Sequence, residues 1–353
     1  MKLFLHIGTE KTGSSFLQTV MATNRQLLLD SGVYFPLAGK GEREMQAGRI
    51  SAGNGELLYD TLQSKNDKAV AALLSKYKKE AERKGATAIL LSNETLLFYL
   101  AEEQQSIHFQ SLCERLEIAL QPPLLVLRDP VGQALSLYKH RAKNGNLSGI
   151  ESWLAEGYFL DEVLTKFMAC TSTLNKTCVY RKYRKDSQYL VNVVFKDWLG
   201  LSLKPSWSDK QVNPSLTLSE LVVLGQVHQT MPALSPVIYQ RFLRVPADKK
   251  SADPYLDQYY RAYLQHYLYK SKAVWAACNE RLAPDEQLAY PQAEPASLEK
   301  TEKLSFTPEQ SKVLVQLLQD SNNSSFKMMM IWRKIRPVLA KIKWGILNMI
   351  NPR

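Results

Sequence analysis

Two short stretches of this chain carry residue types whose spacing suits phosphate chemistry. The first, Lys2–Gln18 (KLFLHIGTEKTGSSFLQ), joins an apolar run, a turn from Gly8 to Gly13 and a run that begins like a helix. Backbone N–H groups converge at such a strand–turn–helix junction, and the helix dipole favours an anion there. The stretch therefore predicts a phosphate cradle, with Lys11 as the lysine within the turn.

The turn differs from the nucleotide-binding P-loop, G-x-x-x-x-G-K-[ST], where that loop contacts a magnesium triphosphate. Gly8 and Gly13 match its two glycines, but Ser14 stands where the pattern has lysine. A cation at Lys11 can still reach a phosphate from the other end of the turn. A kinase or other P-loop NTPase is therefore an alternative, and it would need Mg²⁺ and a lysine directly after Gly13.

The second stretch, Pro122–Lys139 (PPLLVLRDPVGQALSLYK), contains an apolar run suited to a buried parallel strand. Arg128, Asp129 and Pro130 end that run. Proline suits the first position of a helix, with Asp129 as its N-cap. Arg128 offers a planar fork of donors and Ser136, two helical turns on, offers a hydroxyl, so the pair could grip one phosphate.

In this order, K-T-G-S-S and R-D-P-x-x-x-x-x-S-x-Y resemble two elements of the sulfotransferases that use 3′-phosphoadenosine-5′-phosphosulfate. The longer form H-I-G-x-x-K-T-G-[ST]-[ST]-x-x-Q is similar to the bacterial branch of that family. The resemblance implies transfer of a sulfuryl group to an acceptor hydroxyl or amine, without a metal. The cofactor-binding residues that it implies are Lys11, Thr12, Gly13, Ser14, Ser15, Arg128, Ser136 and Tyr183.

The same resemblance implies a role for each part of the two motifs. The N–H groups of Gly13, Ser14 and Ser15 would hold the 5′-phosphate. Arg128 and Ser136 would hold the 3′-phosphate. Negative charge grows on the leaving phosphate oxygen, so Lys11 is expected to stabilise the transition state.

Two further residues are candidates for the site. Glu94 ends a predicted strand in the pattern Ser92-Asn93-Glu94, which is similar to a Ser-x-Glu element of the bacterial sequences. A carboxylate there could take a proton from an acceptor hydroxyl, although a glutamate that merely begins a helix is the alternative. Tyr183 falls where the family has a tyrosine near the adenine, but Arg184-Lys185 follow where many members have acidic residues.

The organisation of the chain predicts an α/β fold: a three-layer, P-loop-like sulfotransferase fold with a central parallel sheet and a helical C-terminal part. We expect strands near 2–7, 33–36, 88–92, 123–127 and 177–181. We expect helices at 14–30, 66–84, 130–143, 160–175, 187–199, 216–229 and 254–281. The predicted domains are an α/β core at 1–220, a helical extension of the same domain at 221–281, a linker at 282–305 and C-terminal helices at 306–353.

Two loops have predicted roles. The polar, Gly-rich stretch Gly39–Gly55 is expected to contact substrate, with Arg43, Arg49 and Asn54 as its polar side chains. In the second, which begins Asn213-Pro214-Ser215-Leu216, Ser215 or Thr217 is expected to be the N-cap of the following helix.

Composition narrows the possible classes of protein. The chain has 353 residues, and its 45% hydrophobic content is ordinary for a globular protein. The four cysteines show no metal-binding spacing and are predicted to be buried thiols of a reducing compartment. The five histidines form no metal-binding motif, and His6 is predicted to be a core residue. The sequence therefore predicts no metal site.

The C-terminal tail, Phe326–Arg353, holds seven of the eleven net positive charges and no acidic residue. Eight apolar residues cluster on one face of a helical wheel: Met328, Ile331, Ile335, Val338, Leu339, Ile342, Ile346 and Ile350. This pattern predicts a basic amphipathic helix that lies on an anionic membrane surface, and docking on the protein itself is the alternative. No nucleic-acid-binding motif appears, so no nucleic-acid partner is expected.

No signal peptide is visible, and no window of about 18 apolar residues could span a membrane. We therefore expect a cytoplasmic protein, peripheral on the inner face of the membrane. The acceptor is expected to be a hydroxyl of a carbohydrate, such as a lipid-linked envelope glycan. A non-catalytic, membrane-associated adaptor that kept the nucleotide-binding fold is the alternative from another class.

Overall fold

A computed structural model describes residues 1–37, 53–143, 149–174, 176–207, 216–293 and 303–321. Its strands are β1 Lys2–His6, β2 Val33–Tyr34, β3 Ala88–Ser92, β4 Ala119–Leu120, β5 Leu124–Leu127 and β6 Val179–Lys182. They form one sheet in the order β2-β3-β1-β5-β6, with β4 paired to β1. Every pairing is parallel. The predicted central parallel sheet is confirmed, and the short strand β4 was missed.

Helices flank this sheet: some connect its strands, and others come after the last strand in the chain. The first are α1 Ser14–Thr23, α2 Arg25–Asp30, α3 Glu56–Gln63, α4 Asp67–Arg83, α5 Leu96–Leu100, α6 Glu103–Arg115, α7 Pro130–Lys143, α8 Ile150–Gly157 and α9 Leu160–Thr173. The later ones are α10 Ser187–Asn192 with a π-helical turn Val193–Trp198, α11 Leu218–Thr230, α12 Ser235–Leu243, α13 Pro254–Tyr269, α14 Lys272–Asn279 and α15 Pro308–Ser321. All the predicted helices are present, and those at 14–30 and 254–281 are each interrupted once.

The central strands are buried on both faces. Every residue of β3 and β5 is buried, which explains why AILLS and LLVL are continuous apolar runs. On one face, α1, α2, α10 and the π-helical turn form a common core with the sheet. Phe4 of β1 meets Trp198 of that turn edge to face, with ring centroids 5.5 Å apart. The core therefore fixes the position of the strand that precedes the Gly-containing turn.

The order of the strands creates a switch point beside β1. From β1 the chain goes to β2 and β3 on one side, and then crosses to β5 and β6 on the other. The connections that follow β1 and β5 therefore leave in opposite directions. Open α/β sheets bind ligands at the carboxyl ends of the strands at such a point. The Gly8–Gly13 turn follows β1 there, and Arg128 follows β5.

The contacts divide the chain into two compact units. The first comprises Met1–Leu137, Tyr158–Asn213 and Leu264–Ala296, and the second comprises Tyr138–Gly157, Pro214–Tyr263 and Ser297–Arg353. The first unit holds the whole sheet. The domain boundaries expected at 220, 281 and 305 stay predictions.

A buried polar network organises the second unit. Thr217 is the N-cap of α11 and forms a capping box with Glu220, so the choice of Thr217 as the capping residue is confirmed. The Glu220 carboxylate also pairs with Lys250 at 3.0 Å, and both side chains are nearly inaccessible to solvent. Gln310 of α15 donates a hydrogen bond to the same carboxylate at 2.8 Å. The start of α11 is therefore held to α15 and to the chain before α13.

Some expectations fall partly or wholly outside the described residues. Residues 38–52 contain most of the predicted substrate loop, and residues 322–353 contain the predicted basic helix. Within the described residues, no helix is long and apolar enough to cross a membrane. The thiols of Cys113, Cys170 and Cys278 are free and buried, and that of Cys178 is free and half-buried.

Candidate phosphate-binding and catalytic site

The turn Gly8–Gly13 joins β1 to α1 at the carboxyl edge of the sheet. The Thr9 N–H group donates a hydrogen bond to the Val126 carbonyl oxygen at 3.3 Å, which fastens the turn to β5. The buried hydroxyl of Thr12 donates to the Thr9 carbonyl oxygen at 2.5 Å. Thr12 therefore braces the turn from inside.

The backbone of the turn is left-handed at two positions, Lys11 with a φ of 68° and Gly13 with a φ of 86°. A Cβ atom on Gly13 would lie 3.1 Å from both the Leu190 Cδ1 and the Tyr183 Cε2 atoms. Glycine is thus needed there for its conformation and for close packing. A positive φ at a lysine is uncommon and tends to occur at functional sites.

Helix α1 begins directly after the turn and offers donors to an anion. Its N-cap, Gly13, has no side chain to cap it, and its first turn carries no acidic residue. The first four N–H groups of any helix lack intrahelical partners, and here they include those of Ser14 and Ser15. The Ser14 Oγ atom is buried and, among the residues that the structure describes, has no hydrogen-bond partner of standard geometry. These donors and the dipole of α1 fit a phosphate group.

Arg128, at the end of β5, reaches the turn. Its Nη1 atom donates a hydrogen bond to the Lys11 carbonyl oxygen at 3.2 Å. Its guanidinium lies over the Tyr183 ring, 5.2 Å from the centroid. Because the Tyr183 ring also packs against Gly13, the structure brings Lys11, Arg128 and Tyr183 together from the ends of three strands.

Ser136 lies on the face of α7 whose residues contact Arg128 and the Gly8–Gly13 turn. Gly132 of that face approaches Arg128, since a Cβ atom there would lie 3.4 Å from Arg128 Nε. Gln133 Nε2 donates a hydrogen bond to the Glu10 carbonyl oxygen at 3.2 Å. Residues four apart share a helix face, so Ser136 follows Gly132 about 6 Å along the axis. This places the Ser136 hydroxyl on the same face as the Arg128 contact.

Asp129 occupies the predicted N-cap position of α7, because its carbonyl oxygen accepts the first helical hydrogen bond, from Gln133 N–H, at 2.9 Å. Helix α7 begins at Pro130 as predicted. The Asp129 carboxylate accepts a hydrogen bond from the Ala289 N–H group at 2.6 Å and lies 3.4 Å from Lys182 Nζ. It therefore joins the ends of β5 and β6 to a distant part of the chain.

The segment Asp285–Ala289, which sequence reasoning assigned to a linker, crosses this edge of the sheet. The Glu286 carboxylate is buried and accepts hydrogen bonds from the Lys182 N–H group at 3.0 Å and from the Tyr189 hydroxyl at 2.7 Å. Glu286 thus holds the residue before Tyr183. No local pattern signals these contacts, because each of them joins residues about a hundred or more positions apart.

His6, Gln18 and Ser92 meet beneath the turn. The His6 Nδ1 atom lies 2.8 Å from Ser92 Oγ, and Gln18 Nε2 donates to the same oxygen at 3.3 Å. Burial lowers the pKa of His6 to about 4, so the ring is neutral. His6 is a core residue as predicted. The quoted sequence patterns contain all three residues, but their spacing does not show that they meet.

Glu94 follows β3, at the same edge of the sheet. Burial raises the pKa of its carboxyl group to about 7. The Ser14 hydroxyl lowers that pKa, although the pair falls outside standard hydrogen-bond geometry. Glu10 raises it further, and Lys11 lowers it. Glu94 is therefore within electrostatic reach of the turn, as a base beside the phosphate site would be.

Asn93, and not Glu94, supplies the side-chain hydrogen bonds just before helix α5, whose N-cap is Thr95. Its Oδ1 atom accepts hydrogen bonds from the Leu96 N–H group, at 3.1 Å, and from the Thr95 hydroxyl. The helix start therefore does not require the Glu94 carboxylate.

Asn54 was expected to contact substrate, but its side chain instead bonds to the protein backbone. Its side chain is buried, accepts a hydrogen bond from the Ser92 N–H group at 2.8 Å and donates one to the Leu90 carbonyl oxygen at 2.9 Å. The end of the predicted loop is thus tied to β3. The other two polar residues expected in this loop, Arg43 and Arg49, lie outside the described residues.

No protein-family model matches the chain, and no curated protein matches it. The crystal structure of a sulfotransferase from Alicyclobacillus acidocaldarius is similar, with 14% sequence identity and a TM-score of 0.33. The match covers 69% of this chain and 96% of that one.

Proposed function

We propose that this chain is a sulfotransferase that moves a sulfuryl group from 3′-phosphoadenosine-5′-phosphosulfate to an acceptor hydroxyl. The observation that carries the proposal is the meeting of Lys11, Gly13 and Arg128 at the switch point between β1 and β5. An anion cradle with a cation on one side and an arginine from the next strand suits a nucleotide that carries phosphates at two positions.

The residues of the turn fit the 5′ end of this co-substrate, which would supply an activated sulfuryl group. The Ser14 and Ser15 N–H groups, with the Ser14 hydroxyl, would hold its 5′-phosphate. The Lys11 ammonium would neutralise the charge that develops on the bridging oxygen as the bond to sulfur breaks. Arg128 and Ser136 would hold the 3′-phosphate.

Glu94 would act as the general base. Its carboxylate would accept the proton of the acceptor hydroxyl while that oxygen attacks sulfur. A pKa of about 7 suits this task, because the group is then partly ionised near neutral pH and still basic enough to take a proton.

The proposal extends to a carbohydrate acceptor, including a lipid-linked glycan at the cytoplasmic face of a membrane. It rests on the basic amphipathic pattern of residues 326–353, which would hold the enzyme at an anionic surface.

Thermal shift with two nucleotides tests the proposal. Adenosine 3′,5′-bisphosphate at about 100 times its Kd should stabilise the protein by roughly 2.7 kcal/mol, whereas ATP with Mg²⁺ should stabilise it much less. A larger shift with Mg²⁺ and ATP would favour a kinase or NTPase. A shift with the bisphosphate but no transfer of labelled sulfate to any tested glycan or phenol would favour the adaptor.

A further inference from the structure

We propose that the first compact unit holds a second ligand site, which binds a small amphipathic monoanion at the amino-terminal ends of β5 and β6. A cavity of about 350 Å³ opens there. Its apolar wall consists of Leu5, Leu100, Phe109, Ile118 and Phe167. This volume lies at the lower end of the roughly 300–1,000 Å³ typical of small-molecule sites.

This cavity is distinct from the phosphate site. Two of the segments that line it, 119–123 and 176–177, precede β5 and β6, whereas Arg128 and Tyr183 follow those strands. The strands of a parallel sheet all run in one direction, so these two segments and the residues Arg128 and Tyr183 lie at opposite ends of β5 and β6. The four residues of β5 span roughly 13 Å between Pro123, in the cavity wall, and Arg128, in the phosphate site.

One cation faces the cavity. Lys176 Nζ donates a hydrogen bond to the buried Ser106 hydroxyl at 3.2 Å. Among the described residues, no carboxylate lies within 4.0 Å of this ammonium. Burial lowers the pKa of Lys176. A partly buried ammonium beside an apolar wall is unfavourable, and an anion placed against it would offset that cost.

The polar rim limits the charge of the ligand. Glu114 also lines the cavity, and its carboxylate accepts a hydrogen bond from Gln110 at 2.8 Å. The Glu114 carboxylate, whose charge also acts on Lys176, would repel a second negative charge on a ligand, so a polyphosphate or nucleotide does not suit the site. The chemistry that fits is a carboxylate or sulfate monoester on one aromatic ring or a short alkyl chain.

Calorimetry on the full chain tests this site with four probes of equal chain length. Octanoate and octyl sulfate, below their micelle concentrations, should bind with one site each. Octanol and octylammonium should bind at least about tenfold more weakly, because they lack the charge that complements Lys176. Binding of all four probes with equal affinity, or of none at millimolar concentration, would overturn the proposal. The ratio of octanoate to octyl sulfate affinity separates the two head groups.

Variants locate the binding. Lys176→Met keeps the length of the side chain and should weaken octanoate about tenfold, while Lys79→Met, on the exposed surface of α4, should leave it unchanged. Gln110→Trp, at the half-buried rim, should fill the cavity and abolish binding. Adenosine 3′,5′-bisphosphate affinity should be unchanged in all three, which also reports that they are folded. Equal losses in Lys176→Met and Lys79→Met, or undiminished binding in Gln110→Trp, would contradict the site.

Discussion

The Arg128 guanidinium donates a hydrogen bond to the Lys11 carbonyl oxygen, and so joins two residues 117 positions apart. The side chain proposed for the 3′-phosphate thereby holds the backbone of the lysine proposed to act at the 5′ end. We therefore expect the two phosphate subsites to be coupled: occupation of one should improve the geometry of the other.

Substitutions at the 3′ subsite should affect recognition of the 3′-phosphate. Ser136→Ala should weaken the binding of adenosine 3′,5′-bisphosphate by roughly 10- to 150-fold, the value of one hydrogen bond to a charged group, and leave that of adenosine 5′-phosphate unchanged. Arg128→Ala should lose more affinity for the bisphosphate and some for the 5′-phosphate, since it also frees the Lys11 carbonyl. Calorimetry with both ligands measures this, and equal losses for both in Ser136→Ala would contradict the assignment.

Lys11→Ala should lower the rate of sulfuryl transfer by roughly 100- to 1,000-fold, the cost of removing one electrostatic group at a developing charge. Its melting temperature should change little, because alanine and lysine share the same strain at this positive φ. Transfer of labelled sulfate and thermal melting are the measurements. Lys185→Ala, an exposed lysine two residues after Tyr183, is the matched control. Transfer at the parent rate in Lys11→Ala would refute the role.

Glu94→Gln should slow turnover far more than it weakens nucleotide binding, since a base acts only in the chemical step. In the parent enzyme, kcat should rise with pH through about 7, because the carboxylate is the active form and its pKa is about 7. That limb of the pH profile should disappear in the variant. An unchanged kcat would show that the base lies elsewhere.

The same carboxyl group should make stability depend on pH. Its pKa is about 7 in the folded protein against an ordinary value of 4.5, so folding favours the protonated form. The stability that Glu94 contributes is present below about pH 4.5 and is lost as pH rises through about 7. Glu94→Gln should thus gain stability over the parent at about pH 8.5 and gain little at about pH 4. The urea midpoints of the parent and the variant at the two pH values measure this difference in stability. A stability gain in Glu94→Gln at acid pH alone would contradict a raised pKa of Glu94.

Gly13→Ala should destabilise the protein and weaken phosphate binding, because its Cβ atom would press on Leu190 and Tyr183 at 3.1 Å. Gly85→Ala is the control, since its φ of 74° carries the same backbone strain with no atom within 4 Å. We expect a cost of about 1–2 kcal/mol at Gly85 and more at Gly13. Urea unfolding of the two variants separates packing from strain. Equal losses of unfolding free energy in the two variants would show that contact with Leu190 and Tyr183 adds nothing to the backbone strain.

The elements that could be predicted from the sequence are those defined by a pattern of neighbouring residues. In each of these elements an apolar run stands next to a turn residue, so residues close in sequence are enough to predict it. The examples are the Gly8–Gly13 turn, the end of a strand at Arg128-Asp129-Pro130 and the buried strands. The two-residue strand β4 was missed. The helices that were also missed are α3, α5, α6, α8 and α12.

Contacts between distant segments could not be predicted in the same way. The hydrogen bond between His6 and Ser92 depends on the register of β1 against β3, and that of Ala289 with Asp129 depends on a late segment folding back. No spacing in the sequence encodes either, because each is decided by tertiary packing.

Removal of residues 326–353 should release the protein from anionic vesicles without changing nucleotide affinity, because the motifs proposed to hold the nucleotide lie well before this segment. Its seven cations and eight apolar positions motivate the expectation. Flotation of the full and shortened chains, at low and at about 0.5 M salt, measures it. Failure of the full chain to float, or unfolding of the shortened one, would indicate a helix that docks on the protein.

The position of the segment Asp285–Ala289 late in the chain limits how early the phosphate site can form during synthesis. Glu286 and Ala289 reach residues made 104 and 160 positions earlier, at the ends of β6 and β5. A ribosome must therefore release more than four fifths of the chain before this edge of the sheet is complete. Nucleotide should rescue the folding of the finished chain but not that of a nascent chain stalled before residue 285, where Tyr183 lacks the support of Glu286.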